Sequence, residues 1–279
     1  MTGHVPRGGH GWIDAIDITK PNVARVYDYF VGGKDNFSAD REFADQAMRI
    51  APKAPLAARA NREFLRRVIR FLVGTAGITQ LIDIGSGLPT AGNVSEVAHS
   101  LDPDIHVVHV DNDPVVYTHS KALLTDRWTT DIVLGDIRRP QEILDDPVVG
   151  KLIDFSRPVG LVMLAVLHHL ADSEEPGTIA EALRSAMPPD SHVAISSFRM
   201  PGPEHPEDAA KTAAMEKLFN EKLGTGRWRD HDEILAWFGD WEMLEPGLVP
   251  LPEWRPAVRG STRRNATYHG FVGGVARKP

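Results

Sequence analysis

The sequence predicts an α/β fold in which helices cover both faces of a mainly parallel sheet, a doubly wound arrangement. Between residues 79 and 198, short apolar segments alternate with segments of helical periodicity, which is typical of βαβ units. Residues 159–167 are almost wholly apolar, as expected for a central parallel strand buried on both faces. The first strand of this series runs into Gly85-Ser86-Gly87, a turn typical of a strand that leads into a ligand-binding helix.

Composition agrees with a folded domain and argues against several classes of function. The chain has 279 residues, 42% of them hydrophobic and 25% charged, so it can bury a sizeable core. Its net charge of −7 argues against nucleic acid or an anionic membrane as the main partner. The absence of cysteine excludes disulfides and thiolate zinc sites. We find neither a signal peptide nor an apolar run of membrane-spanning length, and we expect a cytoplasmic protein.

The N-terminal part is predicted to be helical and separate from the sheet. We expect residues 1–19 to form a flexible tail, because the first dozen are rich in glycine. Residues 20–77 are expected to form a helical cap, and residues 78–279 the main domain. Apolar residues of the cap recur at helical spacing. The predicted helices of the cap span 23–30, 38–50 and 56–73.

In the main domain, predicted strands and helices alternate along the chain. The predicted strands span 81–84, 105–110, 132–134, 159–167 and 192–198. The predicted helices span 93–101, 114–124, 178–187, 208–223 and 230–238. The last helix begins at Asp230 and Glu233, which have the spacing of a capping box. Two further strand candidates lie near the C-terminus, at 241–244 and 268–276.

Three acidic residues lie at the ends of three consecutive predicted strands. Asp83 precedes the glycine turn, Asp111 ends the second strand, and Asp136 follows the third. Open α/β sheets bind ligands at this edge, and a carboxylate at the position of Asp111 can accept both hydrogen bonds of a ribose diol. Each residue alone is also explained as a helix cap or turn residue, and a Gly-x-Gly turn alone is weak evidence. All three together predict a site for an adenosine cofactor.

The residues of the glycine turn distinguish between two adenosine cofactors, NAD and S-adenosylmethionine. The dinucleotide fingerprint has a third glycine where this chain has Thr90, which weakens the alternative of an NAD-binding oxidoreductase. The carboxylate of Asp83 suits a cationic ligand better than a pyrophosphate. S-adenosylmethionine carries an amino group and a sulfonium and has no phosphate, so it suits the turn better.

Five segments carry a more specific resemblance: KPNVARVYDYFVGGKDNF (20–37), LIDIGSGLPTAGNV (81–94), HVDNDPVV (109–116), GDIRRP (135–140) and EPGLVPLPEWRP (245–256). With these segments the chain resembles class I S-adenosylmethionine-dependent methyltransferases, and closely an actinobacterial family named S-adenosyl methyltransferase, formerly a domain of unknown function. The resemblance implies a Rossmann-like seven-stranded sheet with an antiparallel last strand. It also implies S-adenosyl-L-methionine as cofactor and a methyl acceptor, which we expect to be a small molecule. A protein that binds the cofactor without turnover is the alternative.

The resemblance also implies which residues bind the cofactor. Asp83 would hold its amino end, Asp111 its ribose, and Asp136 with Ile137 its adenine. The implied residues of the main domain are Asp83, Gly85, Ser86, Gly87, Asp111, Asn112, Asp136, Ile137, Ala165 and Val166, the last two under the sulfonium. The general methyltransferase motif often has a third glycine where this chain has Pro89, which leaves the conformation of the turn open.

The cap is expected to close over the cofactor in an enzyme of this kind. Lys34 or Arg62 would pair with the cofactor carboxylate, Tyr27 would hydrogen-bond to it, and Gly33 would belong to a hinge beside the site. The alternative for the glycine pair is a helix C-cap followed by a solvated turn. The alternative for Arg62 is an exposed helix charge.

Two adjacent histidines follow the fourth predicted strand. Histidine suits a general base near neutral pH, and we expect His168 to face the transferred methyl group while His169 serves packing. A structural role for either histidine is the alternative. We expect no metal here, because adjacent side chains of an extended segment point in opposite directions. The helix at 208–223 is expected to cover the acceptor pocket, with Trp228, Trp237 and Trp254 as lining or core residues.

Overall fold

The computed structural model describes residues 17–125, 128–256 and 266–279, and these form one eight-stranded sheet flanked by helices. The strands are β1 (Gln80–Ile84), β2 (His106–Asp111), β3 (Thr130–Leu134), β4 (Gly160–Leu164), β5 (His192–Phe198), β6 (Glu242–Met243), β7 (Val249–Pro250) and β8 (Phe271–Arg277). Their order is β3-β2-β1-β4-β5-β8-β6, and β7 pairs with β8. Strands β1 to β5 are parallel, whereas β8 runs antiparallel to β5. The predicted Rossmann-like sheet with a reversed last strand is confirmed, and the two-residue β7 is an addition to it.

Five of the described helices begin directly after a residue whose side chain accepts a hydrogen bond from a first-turn amide. The described helices are α1 (Val23–Val31), α2 (Ser38–Ile50), α3 (Ala54–Gly74), α4 (Val94–His99), α5 (Pro114–Leu123), α6 (Pro140–Leu144), α7 (Pro147–Leu152), α8 (Pro176–Ser185), α9 (Pro206–Leu223), α10 (His231–Ala236) and α11 (Ala266–His269). The side chains of Asn93 and Asp230 accept hydrogen bonds from first-turn amides of α4 and α10. Asp230 and Glu233 form the predicted capping box. Helices α6, α7 and α11 were not predicted, because they are too short for periodicity to reveal. Helix α11 occupies the beginning of the strand that was expected at 268–276, and β8 begins only at Phe271.

Both faces of the sheet are buried, as the apolar composition of β4 predicted. On β4, Val162 packs into the core on one face, and Met163 packs into the core on the other. Helix α3 covers the first of these faces, since Phe64 and Leu72 share a core with Val162. The expected cap of residues 20–77 is therefore divided in the structure. Helix α3 belongs to the layer on the sheet, and α1 with α2 forms the remaining cap.

The cap of α1 and α2 is held together by a buried carboxylate. Asp40 accepts hydrogen bonds from the Asn22 amide (2.9 Å), Arg25 Nε (2.9 Å) and the Phe37 amide (2.8 Å). The cap also packs on α9, where the rings of Phe43 and Phe219 meet edge to face with centroids 5.1 Å apart. Most of the expected flexible tail, residues 1–16, lies outside the described residues.

Among residues 17–125, 128–256 and 266–279, no helix combines the length and the apolar character that crossing a bilayer requires.

Candidate active site

A cavity of about 500 Å³ opens at the carboxyl ends of β1, β2 and β4, beneath the cap. Its polar half comprises the glycine turn, the ends of β1 and β2, and residues of α3. Its aromatic half comprises Phe198, Met215, Phe219 and Trp228. The predicted site residues that line the cavity are Tyr27, Arg62, Asp83, Gly85, Ser86, Gly87, Asp111, Asn112, Ile137, Ala165, Val166 and His168. The volume is in the range of small-molecule sites.

Three predicted cofactor residues do not line this cavity. Lys34 is exposed, and Asp136 pairs with Arg138 Nη1 at 3.1 Å. Gly33 lies against Asp28, and a Cβ at Gly33 would meet Asp28 Oδ1 at 1.8 Å. The packing of the cap therefore requires a glycine at this position. Gly32, with φ 92°, is the C-cap of α1, which agrees with the structural alternative for the glycine pair.

The glycine turn is a backbone cradle beside β4. Gly85 has φ 71° and Gly87 has φ 66°, both in the left-handed region that favours glycine. The amides of Gly85 and Ser86 donate to Val110 O at 2.8 and 3.1 Å, which ties the turn to β2. A Cβ at Gly85 would approach the Val166 side chain to 2.6 Å, whereas a Cβ at Gly87 would meet nothing within 4 Å. Only Gly85 is thus required for both conformation and space.

Asp111 is a buried carboxylate at the end of β2. Its Oδ2 accepts from the Gly87 amide at 2.8 Å, and its Oδ1 accepts from the Asp113 amide at 3.0 Å. Burial raises the pKa of Asp111 to about 6, although these two amide hydrogen bonds oppose the shift. Each carboxylate oxygen keeps a lone pair for another donor. Asp111 can therefore accept hydrogen bonds from a diol at neutral pH.

Asp83 is held by a histidine that the sequence analysis did not identify. His109 Nδ1 lies 2.9 Å from Asp83 Oδ2, and His109 Nε2 lies 3.1 Å from Ser95 Oγ. Ser95 Oγ donates to Asn93 Oδ1 at 2.9 Å. This chain fixes one carboxylate oxygen of Asp83. The other, Oδ1, has no protein partner within the described ranges and is available to a cationic ligand.

Arg62 brings a positive charge to the same half of the cavity. It is buried, and it donates to Thr90 Oγ1 (2.7 Å) and Gly92 O (3.3 Å). Among the described residues its buried Nε has no partner. Its guanidinium lies 5.8 Å from the centre of the Tyr27 ring. Of the two cations considered for the cofactor carboxylate, only Arg62 lies on the cavity wall.

A continuous chain of hydrogen bonds links the cap to the loop after β4. Tyr27 Oη donates to Ala58 O (3.0 Å) and accepts from Asn61 Nδ2 (3.2 Å). Ser196 Oγ donates to Asn61 Oδ1 (2.7 Å) and accepts from the Ala165 amide (3.0 Å). Burial raises the pKa of Tyr27, so the phenol stays protonated and can donate.

The loop held by this chain has an unusual backbone conformation. Ala165 has φ 58°, in the left-handed region that a non-glycine residue adopts at a cost. The hydrogen bond from its amide to Ser196 helps to hold this conformation. Such backbone strain is concentrated at functional sites, which agrees with the predicted position of Ala165 under the sulfonium.

The contacts of His168 favour the structural alternative over the role of a general base. Strand β4 ends at Leu164, and Leu167–His169 forms a 3-10 turn, so the histidines do not lie on an extended segment. The buried His168 ring stacks on Phe198 with centroids 3.6 Å apart, and its Nδ1 accepts from the Phe198 amide at 3.1 Å. Burial lowers the pKa of His168 well below its ordinary value. A neutral imidazole that accepts at Nδ1 carries its proton on Nε2, so neither nitrogen is free to act as a base.

His169 differs from the expected packing residue as well, because it too lines the cavity. Its ring centroid lies 4.4 Å from that of His168. Burial lowers the pKa of His169 to about 4, so this side chain is neutral at physiological pH. The backbone carbonyls of the two histidines accept from the Arg227 amide (2.8 Å) and Thr225 Oγ1 (2.5 Å), which anchors the segment before Trp228.

The aromatic half is made of rings that the sequence analysis mostly missed. Phe198 and Trp228 stack with centroids 4.1 Å apart, and Phe219 stands perpendicular to both. Of the three tryptophans considered, Trp228 lines the cavity, whereas Trp237 and Trp254 are buried in the core. Helix α9 was the available sequence indication, since the helix at 208–223 was expected to cover the acceptor pocket.

The sheet order, the reversed last strand and a cavity at the carboxyl ends of β1, β2 and β4 define the class I methyltransferase fold. The chain belongs to the S-adenosyl methyltransferase family, whose family model matches residues 10–279. It is therefore a methyltransferase. No protein with a curated description matches the chain.

Solved structures support this assignment. A methyltransferase from Thermobifida fusca is 40% identical with a TM-score of 0.88, and the match covers 94% of this chain and 96% of that one. A DUF574 family protein from Streptomyces avermitilis is 35% identical with a TM-score of 0.86, over 93% and 98% of the two chains. The plantazolicin methyltransferase BamL is only 8% identical over 91% and 95% of the chains, and its TM-score of 0.54 reflects the fold alone.

Proposed function

We propose that this cavity binds S-adenosyl-L-methionine in its polar half and a small apolar or aromatic methyl acceptor in its aromatic half. The observation that carries the proposal is that one cavity joins the two halves. Val166 packs against Gly85 of the polar half, and two residues later His168 stacks on Phe198 of the aromatic half. A methyl group transferred between the halves would pass beside Ala165 and Val166.

The charges of the polar half complement the cofactor. Asp111 would accept hydrogen bonds from the ribose hydroxyls, and Asp83 Oδ1 would accept from the amino group. Arg62, whose buried Nε has no partner in the described part of the chain, would neutralise the carboxylate. Ile137 and Asn112 would lie near the adenine. The cofactor supplies an electrophilic methyl group on its sulfonium, and the protein supplies orientation and exclusion of water.

The aromatic half favours an acceptor that is neutral or anionic. The acidic residues of the described cavity wall are Asp28, Asp83, Asp111 and Asp113, all outside the aromatic half. Lys211 lies on the wall of the cavity and is exposed. Burial lowers the pKa of both His168 and His169, which makes both imidazoles weak bases, although His169 Nδ1 has no hydrogen-bond partner among the described residues. We therefore infer an acceptor whose nucleophilic atom arrives already deprotonated, as in a carboxylate or an acidic phenol.

Calorimetric titration tests the cofactor part of the proposal. S-adenosylhomocysteine should bind the wild-type protein and NAD should not. Asp111→Ala should weaken binding by about 1–3 kcal/mol, because buried ribose hydroxyls lose a charged acceptor. Asp232→Ala, which removes an exposed carboxylate outside the cavity, is the matched control. Tight NAD binding without a response to S-adenosylhomocysteine would refute the proposal.

Transfer of a labelled methyl group tests catalysis separately. The panel comprises aromatic carboxylates, acidic phenols and primary amines, each incubated with protein and methyl-labelled cofactor. Label should appear in the first two classes. Cofactor binding with no transfer to any class would favour the alternative of a regulatory protein that binds the cofactor without turnover.

A further inference from the structure

Two histidines and an aspartate meet where α9 begins and α11 ends. One ligand atom each from His205, Asp208 and His269 lies within 4.8 Å of those of the other two. The rings of His205 and His269 are stacked, with centroids 3.7 Å apart. All three residues are half-buried. We call them the His-Asp-His cluster.

Helix capping does not account for the positions of His205 and Asp208. His205 immediately precedes α9, but its side chain makes no capping hydrogen bond, and its Nε2 lies 3.9 Å from Glu204 Oε1. Asp208 lies in the first turn of α9, where the helix dipole favours a negative charge, but its carboxylate has no hydrogen-bond or ion-pair partner in the described ranges. A half-buried carboxylate without a donor is unfavourable unless a positive charge compensates it.

We propose that the His-Asp-His cluster binds one divalent transition-metal ion. Two imidazole nitrogens and one carboxylate oxygen are donors that suit Zn²⁺, Mn²⁺, Fe²⁺ and Co²⁺. Mg²⁺ and Ca²⁺ prefer oxygen donors throughout, so they suit this set less well. Three protein ligands leave a coordination position for water or another small ligand.

An ion bound to the His-Asp-His cluster would connect two segments of the cavity wall. After Asp208, α9 continues to Lys211 and Thr212, which line the cavity, and His269 is followed by Gly270, which also lines it. A bound ion would cross-link these two wall segments. The cluster shares no residue with the polar half, and it is independent of the proposed cofactor site.

Metal binding to the full chain, freed of metal by chelation, provides the test. Titration with Zn²⁺ should show one site, and Co²⁺ should develop ligand-field absorption in the visible range. Zn²⁺ should also raise the midpoint of thermal unfolding, because a ligand that binds only the folded state stabilises it. His205→Ala and His269→Ala should each weaken Zn²⁺ binding by roughly tenfold or more.

The matched control is His231→Ala, since His231 is a partly exposed histidine beside Asp232 and belongs to no such cluster. It should bind Zn²⁺ as the wild type does. Asp208→Asn, which keeps the size of the side chain, serves if an alanine variant does not fold. The same Zn²⁺ affinity and stoichiometry in the double variant His205→Ala/His269→Ala would overturn the proposal, and so would the absence of binding to wild type. These measurements need neither cofactor nor acceptor, so their failure is distinct from a failure of the proposed function.

Discussion

The polar and aromatic halves of the cavity differ in how their residues are distributed along the chain. The core of the polar half, from Asp83 to Asn112, lies within two consecutive βα units, where parallel topology brings the strand ends together. The aromatic half combines Phe198 of β5, Met215 and Phe219 of α9, and Trp228 of the next loop. The first half therefore depends on the backbone, and the second on how distant elements pack.

Gly85 provides the strongest test of the backbone dependence. In Gly85→Ala, the alanine would have to adopt a left-handed conformation, which costs about 1–2 kcal/mol. Its Cβ would also overlap with the Val166 side chain, which costs about 1–3 kcal/mol. We expect large losses of both stability and cofactor affinity, measured by urea unfolding and calorimetry. Gly87→Ala carries only the first cost, because its Cβ would meet open space. Equal losses for the two variants would contradict the close approach of Val166.

His168 tests whether the aromatic half is held by packing. His168→Ala removes a buried ring stacked on Phe198, so unfolding free energy should fall by about 2–4 kcal/mol, as measured by urea denaturation. His169→Ala should cost less, because its ring is less enclosed. A His168→Ala variant that keeps wild-type stability but loses methyl transfer would restore the base role expected from sequence.

The raised pKa of Asp111 predicts that ligand binding in the polar half depends on pH. Because this pKa is raised to about 6, the charged acceptor is present above pH 6 and is lost as pH falls through it. Affinity for S-adenosylhomocysteine should fall by about tenfold per pH unit below 6. Asp111→Asn should bind more weakly and with a flat pH profile over the same range.

Stability supplies the control for this pH experiment. The folded protein holds the Asp111 proton more tightly than the unfolded chain does, so this group's contribution to stability decreases as pH rises from about 4 to 6. Protonation of Asp111 at low pH therefore does not destabilise the folded protein, and unfolding through this group does not explain a loss of affinity there. A wild-type affinity independent of pH between 5 and 7 would contradict the shifted pKa.

We expect the smallest effect from Lys211→Ala, which tests whether the acceptor is an anion. Lys211→Ala should weaken binding of an aromatic anion, 8-anilinonaphthalene-1-sulfonate, by about two- to fivefold, since an exposed charge pair contributes little. Fluorescence titration measures this, with neutral Nile red as the comparison ligand. Lys217→Ala, on the same helix but outside the cavity wall, should leave both affinities unchanged. Equal weakening of both probes by Lys211→Ala would argue against an anionic acceptor.

The sequence by itself determined the alternation of strands and helices, the glycine turn and the positions of Asp83 and Asp111. These features depend on periodicity, on capping residues and on glycine, all of which act over a few neighbouring residues. Parallel topology then brings the strand ends together, which is why most predicted cofactor residues line the cavity.

Only the tertiary structure decided where side chains beyond those strand ends point. It enclosed His168, left Lys34 exposed, paired Asp83 with His109, and brought His205 next to His269. In each case the surroundings come from segments far apart in sequence. Burial, ring stacking and hydrogen bonding across such distances arise from packing of whole elements, which local residue patterns do not encode.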